Sequence, residues 1–239
     1  MQRDIRYIFV EGNIGAGKSS LIGRIEASLR TKLAQYGELV TVAEPVEAWT
    51  SVGGPGGPNL LAAFYQDKAR NATLFQSHAL VTRIAAIRKR IDEVPGNGRV
   101  YVLCERSIYT DYLIFVRALQ EEGAITALEA AVYKSWWHFW VDLLYPGTVA
   151  GVVYLRAEPT RCATHMRVRD RAEESAVPVS YLERLGELHE AAIAEPGTWR
   201  GAPRLILNVS EIGNIPGDDA AAETNAEHIY RFIQTSAGI

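Results

Sequence analysis

Eight residues near the N-terminus carry the strongest chemical signal: Gly12-Asn13-Ile14-Gly15-Ala16-Gly17-Lys18-Ser19. They complete the pattern GxxxxGK[ST], in which glycines let the backbone wrap around an anion. The freed amides and the N-terminus of the helix that follows, here Ser20–Leu29, point at phosphates. In such a loop Lys18 reaches the β- and γ-phosphates and the Ser19 hydroxyl ligates Mg²⁺. The loop names no reaction by itself, because GTPases, motor ATPases and small-molecule kinases share it. The chain has no NKxD tetrapeptide to read guanine, and no HRD and DFG pair of the protein kinases.

Three further clusters carry charge in suggestive places. Glu44-Pro45-Val46-Glu47-Ala48-Trp49 directly follows a strand-like run. Ligands of doubly wound sheets sit at the carboxyl ends of strands, so Glu44 is placed to accept the proton of an attacking hydroxyl. Trp49 would wall a flat substrate. A solvated Glu44 and a core Trp49 are the other reading of this segment. Cys104-Glu105-Arg106-Ser107 follows the next strand-like run and puts Glu105 where a Mg²⁺ carboxylate belongs. Arg106 would meet charge on a transferring phosphoryl group, or merely form a structural ion pair with Glu105. Arg167, Arg169 and Arg171 alternate along one segment. They suit a lid that closes over a triphosphate, or a solvated basic helix end.

The elements that must position these residues are legible. Five short apolar runs recur: Ile5–Val10, Leu39–Ala43, Val100–Leu103, Val149–Leu155 and Leu205–Val209. Helix-like stretches separate them, which predicts a five-stranded parallel sheet flanked by helices. The spacing of Leu61, Phe64, Leu80, Val81, Ile84, Ile87 and Ile91 predicts one long helical segment. Trp136, Trp137, Trp140, Leu143 and Leu144 read as one buried helix face. Pro159 is placed to open a helix. Ser180 with Glu183 predicts a capping box for Tyr181–Ile193. Ser51–Asn59, with four glycines and two prolines, reads as a mobile connection of no assigned role. Gly213–Thr224 reads as a loop before a short last helix, Asn225–Gln234.

Composition sets the outer limits. The 239 residues suit one domain, 1–239, with 48% hydrophobic residues and a net charge of −3. That charge gives no bulk attraction to nucleic acid or membrane. Two cysteines, Cys104 and Cys162, form no disulfide framework. No run approaches a membrane span, and no signal peptide is visible. A cytoplasmic protein is expected.

The motifs GNIGAGKSS, EPVEAW, Phe75-Gln76 with Arg83, ERSIYTD, and RVRDRAEES with PVSYLERLGELHE occur in this order. Together they resemble the deoxyribonucleoside kinase family, from about residue 5 to about residue 209. The resemblance implies a P-loop kinase with an arginine-rich lid at about 166–177. It implies Glu44 as general base for the 5′-hydroxyl, with Arg106 beside it and Glu105 on the metal side. It further implies that Tyr65 and Glu174 hold the sugar 3′-hydroxyl and that Gln76 pairs with the base edge. Phe75 would stack on the base, with Trp49 and Phe115 lining the pocket. Arg167, Arg169 and Arg171 match the lid arginines of the family, whereas His165 stands where several members have an arginine. The pair Arg83 and Asp111 resembles the deoxycytidine/deoxyguanosine kinase branch.

The expected activity is therefore transfer of the γ-phosphoryl of ATP, with Mg²⁺, to the 5′-hydroxyl of a deoxynucleoside. Deoxycytidine, deoxyadenosine and deoxyguanosine would be preferred over thymidine. The resemblance also implies a homodimer. A nucleoside monophosphate kinase and a non-catalytic nucleotide-binding relative are the alternatives.

Overall fold

The five apolar runs pair as parallel strands in one sheet. A computed structural model describes residues 3–144, 148–211 and 219–239. The strands β1 (Ile5–Gly12), β2 (Glu38–Val42), β3 (Val100–Glu105), β4 (Val149–Arg156) and β5 (Arg204–Asn208) lie in the order β2-β3-β1-β4-β5. All four pairings are parallel. β1 and β3 are central and covered on both faces, so their runs are apolar without alternation. The register sets Val10 opposite Glu105, which brings the phosphate loop and the Glu105 segment to the same end of the sheet.

Helices cover both faces. On one side α1 (Lys18–Leu33) and α10 (Asp219–Ala237) pack through Ile25, Leu29, Ile229 and Ile233. The other side is packed by α4 (Lys68–Asp92), α7 (Ala127–Leu144) and α9 (Val179–Ala194), through residues such as Ile87, Trp137 and Leu185. Short helices α2 (Val46–Thr50) and α3 (Leu60–Gln66) follow β2. A short α5 (Ile108–Thr110) runs into a π-helical turn, Asp111–Val116, and then α6 (Arg117–Glu121). The helix α8 (Pro159–Arg169) follows β4 and has Pro159 in its first turn, as expected.

Several boundaries differ from expectation, each for a local reason. The long segment from Leu61 to Ile91 is two helices. Asp67 breaks it with an extended backbone, and its side chain caps α4 by accepting from Arg70 N at 3.0 Å. Val81 points to solvent, 53% exposed. The helix α9 begins before Ser180: Pro178 holds the cap position and its carbonyl accepts from Tyr181 N, so the capping box does not form. The described part of α10 is helical from Asp219 onward, ahead of the expected Asn225, because Ala220, Ala221, Ala222 and Glu223 are strong helix formers. The rest of that expected loop, residues 213–218, lies outside the described residues. On α7, Trp137 is buried and Trp140 half-buried, but Trp136 and Leu143 are 46% and 57% exposed. The apolar face is wider than the chain itself covers. The Leu144 side chain lies outside the described residues. The Ser51–Asn59 connection is turns, with Gly53, Gly54 and Gly56 at positive φ. No described helix is long and apolar enough to cross a membrane.

Candidate active site

A cavity of about 840 Å³ opens at the carboxyl ends of β1, β2 and β3. The phosphate loop closes one end, and Trp49, Phe75 and Gln76 close the other. Ile14, Gly15, Gly17, Lys18, Ser19 and Ser20 line it. Gly12, Asn13 and Ala16 do not. Asn13 turns its amide away, donating to Leu182 O at 2.7 Å while its Oδ1 accepts from Ile14 N at 2.8 Å. Gly15 is irreplaceable on geometry: its φ is +75° and an added Cβ would stand 2.4 Å from Cys162 O on α8.

Lys18 folds onto its own loop, donating to Asn13 O at 2.8 Å and Gly12 O at 3.2 Å. Burial, then the charge of Arg106, lowers its pKa to about 8. Arg106 Nη1 also donates to Gly12 O, at 2.7 Å. Ser19 Oγ donates to Glu105 Oε1 at 2.7 Å. A hydroxyl and a carboxylate so paired are the hard oxygen donors that Mg²⁺ takes alongside phosphate oxygens and water.

Glu44 sits at the centre. Its Oε1 is 3.1 Å from Arg83 Nη2 and 3.1 Å from Arg106 Nε. The first contact is a hydrogen bond; the second is charge pairing without hydrogen-bond alignment. Burial alone would raise the Glu44 pKa, but Arg106, Arg83 and Lys18 together outweigh it and hold the carboxylate at about 2. Arg83 is 3% exposed and grips Asp111 with two hydrogen bonds, of 3.1 Å and 3.2 Å. Burial opposes the Arg83 charge, yet Asp111 and Glu44 raise its pKa further. Burial likewise raises that of Asp111, against the pull of Arg83.

The far end is aromatic. Phe75 stacks on Phe64 at 4.7 Å and meets Trp49 edge-on at 5.5 Å. The Trp49 indole is fixed by a 2.9 Å bond to Thr82 Oγ1. Phe115 lies 4.9 Å below the Arg106 guanidinium. Gln76 is 3% exposed and lines the cavity, and among the described residues its amide has no hydrogen-bond partner. Tyr65 also faces the cavity. Burial and then Glu174 push its pKa up, so the phenol keeps its proton as a donor.

The lid region is only partly as expected. Arg169 and Arg171 line the cavity, and both pair with Glu174, Arg171 at 2.6 Å. Arg167 does not join them. It is exposed and bonds back along α8, to Ala163 O and Thr164 Oγ1. Residues two apart on a helix point to opposite sides, so Arg167 and Arg169 cannot share a face there. His165 lines the cavity instead and bonds Gly15 O through Nδ1 at 2.9 Å. Since a carbonyl only accepts, Nδ1 carries the proton. The sequence reading missed Gly23, Arg24, Leu61, Ala79 and Val168 as lining residues. Ala79 was findable, because positions 75, 76, 79 and 83 fall on one face of α4.

A parallel α/β sheet carrying a phosphate loop, with an ionised carboxylate in the same cavity, defines a P-loop kinase fold. The chain belongs to the deoxynucleoside kinase family, whose model matches residues 8–234. It is 30% identical over 253 residues to deoxycytidine kinase 2 of Gallus gallus, covering 97% of this chain and 92% of that protein. A probable deoxycytidine kinase of fowlpox virus is 32% identical over 226 residues, covering 95% and 87%. The mitochondrial deoxyguanosine kinase of Xenopus laevis is 27% identical over 251 residues, covering 97% and 91%. This places the chain among nucleoside kinases, which are transferases.

Proposed function

We propose that this chain, acting as one catalytic domain, transfers the γ-phosphoryl of ATP to the 5′-hydroxyl of a deoxynucleoside. The observation that carries the reading is the placement of Glu44. It stands ionised between the phosphate loop and an aromatic pocket that holds an unpartnered Gln76 amide. In that position Glu44 accepts the 5′-hydroxyl proton, while Lys18 and Arg106 meet charge on the phosphoryl oxygens. Arg169 and Arg171 close over the triphosphate. Ser19 and Glu105 are the residues that would hold Mg²⁺, which neutralises phosphate charge when bound.

Base preference follows from Gln76, Arg83 and Asp111. The Gln76 amide offers a donor and an acceptor to a base edge. Asp111 accepts from an exocyclic amine, and Arg83 fills the room a thymine methyl needs. We assign deoxycytidine and the purine deoxynucleosides as preferred over thymidine. Tyr65 and Glu174 hold the 3′-hydroxyl.

We also assign a homodimer. Leu128, Val132, Trp136, Phe139 and Leu143 leave an exposed apolar stripe on α7, and Leu74 is exposed on the adjoining α4. A second copy of the same stripe would cover it. The unpaired buried thiols, Cys104 and Cys162, suit a reducing cytoplasm.

The test is phosphorylation of the four natural deoxynucleosides with ATP and Mg²⁺, with Glu44→Gln as the control. Turnover with deoxycytidine or a purine deoxynucleoside ahead of thymidine is expected. Glu44→Gln should lose about 10²–10⁴-fold in kcat while still binding ATP. A fully active Glu44→Gln variant would refute the assignment of the base.

A further inference from the structure

Behind the cavity, three local rules are broken in one small cluster. Glu11 is completely buried on β1 and lines neither the phosphate loop nor the substrate pocket. Its Oε1 accepts from Ser107 Oγ at 2.5 Å and from Trp199 Nε1 at 3.3 Å, while Oε2 has no partner in the described chain. A buried carboxylate with an idle oxygen is costly compared with an apolar residue. Ser107 holds the N-cap position of α5, yet its hydroxyl makes no capping bond and turns back to Glu11. Serine at that position ordinarily caps. Trp199 is 0% exposed and sits at φ +47°, a region that bulky residues avoid. Its indole nitrogen also donates to Ser107 Oγ, at 3.0 Å.

All three departures converge on one backbone position. Ser107 immediately follows Arg106, whose own φ is +65°. That left-handed turn aims Arg106 Nε at Glu44 and Nη1 at Gly12 O. An arginine holds such a conformation only where its surroundings over-determine it. The cluster supplies that restraint: the Ser107 hydroxyl is gripped from two sides, by a carboxylate and by an indole. The Trp199 ring packs in the core beside Tyr109, but core packing does not account for a Ser107 hydroxyl turned from its cap or for the idle oxygen of Glu11, and rules broken together at one place mark a functional device.

We propose that Glu11 and Trp199, acting through Ser107, are positioning residues for Arg106. They fix the Arg106–Ser107 turn so that the guanidinium is already aligned when phosphoryl transfer begins. This rests on the role of Arg106 proposed above. Misplacing a charge-stabilising group by about 1 Å costs about 10²-fold in rate. Binding of either substrate does not require that alignment.

The experiment is a double-mutant cycle with steady-state kinetics, thermal unfolding and crystal structures. Ser107→Ala and Trp199→Phe should each lower kcat at least tenfold, with both KM values within twofold of the parent. In an Arg106→Ala background each should change kcat less than twofold, because the group they position is gone. The crystal structure of either variant should show Arg106 leaving positive φ or losing Gly12 O. Equal losses of kcat in both backgrounds would overturn the proposal, as would an unchanged Arg106 in the structure. Trp199→Phe keeps the buried ring, so it decides the question if Ser107→Ala does not fold. If the parent turns over no deoxynucleoside, the functional reading fails by itself, and the position of Arg106 in the variant structures still settles this one.

Discussion

The pair Arg83 and Asp111 can be read as a base selector or as a brace between α4 and the π-helical turn, and stability separates the two. Arg83 is 3% exposed and Asp111 1%, and two hydrogen bonds join them. Removing one partner of such a buried pair leaves the other charge under-compensated, at a cost of up to about 3–5 kcal/mol. At roughly 2–4 °C per kcal/mol for a chain of this size, Asp111→Ala should lower Tm by about 6–20 °C. Arg83→Met should do as much and disturb catalysis as well, since Arg83 Nη2 also holds Glu44 at 3.1 Å. The double variant removes both charges and leaves Glu44 paired with Arg106. Its stability should return to within about 1 kcal/mol of the parent. Its pocket gains the room of a guanidinium and loses a carboxylate acceptor. A methyl-sized change in such a pocket is worth about 10–200-fold, so thymidine should gain about 10²-fold in kcat/KM relative to deoxycytidine. Calorimetry on the three variants and steady-state kinetics on the four deoxynucleosides supply the numbers. A double variant with restored Tm and the parent's thymidine-to-deoxycytidine ratio would show that the pair only braces.

Two further outcomes follow from the geometry. Folding holds Glu44 at about 2, below its ordinary 4.5. A depressed carboxylate stabilises the fold above the unfolded value and loses that contribution as pH falls towards the folded one. The shift corresponds to about 3 kcal/mol, so Glu44→Gln should be less stable than the parent by about that much at pH 7. In urea titrations the gap should close between about pH 4.5 and pH 2; a gap independent of pH would contradict the ion-pair account. Gly15→Ala should displace α8, because its Cβ would press on Cys162 O at φ +75°. ATP affinity should then fall more than tenfold by calorimetry with deoxynucleoside affinity retained, and intact ATP binding would refute the contact.

The parts of the site that share a short stretch of chain were legible, and those that depend on contact across the fold were not. Eight consecutive residues specify the phosphate loop, and the strands on either side are apolar throughout because both sheet faces are covered. Gln76, Arg83 and Phe75 lie on one turn-repeated face of a single helix. Arg167 was misread because alternation suits an extended lid, whereas α8 continues to Arg169 and throws Arg167 outward. Helical spacing runs from Leu61 to Ile91, yet the tendency of Asp67 to cap divides the segment there. Glu11 and Trp199 are 188 positions apart, and neither has a neighbour in sequence that hints at the other. Nor does anything in the sequence show that Ser107 gives up its cap.

The charges around Glu44 raise a last point about the reaction. A carboxylate held at about 2 is ionised but weakly basic, which is poor preparation for taking a hydroxyl proton. The groups that hold it there include Arg106 and Lys18, both of which now bond Gly12 O within the phosphate loop. A triphosphate in that loop competes for the same two cations and adds negative charge of its own. Each effect raises the Glu44 pKa, so the proposed base strengthens when a triphosphate binds. Since kcat/KM reports the free enzyme and kcat the bound complex, the acid limb of kcat should lie at higher pH than that of kcat/KM for ATP. Rate profiles from pH 4 to pH 8 at saturating and at limiting ATP measure the difference. Superimposable limbs that Glu44→Asp leaves in place would mean that the cations around Glu44 do not tune it, and that its role ends with orienting Arg83 and Arg106.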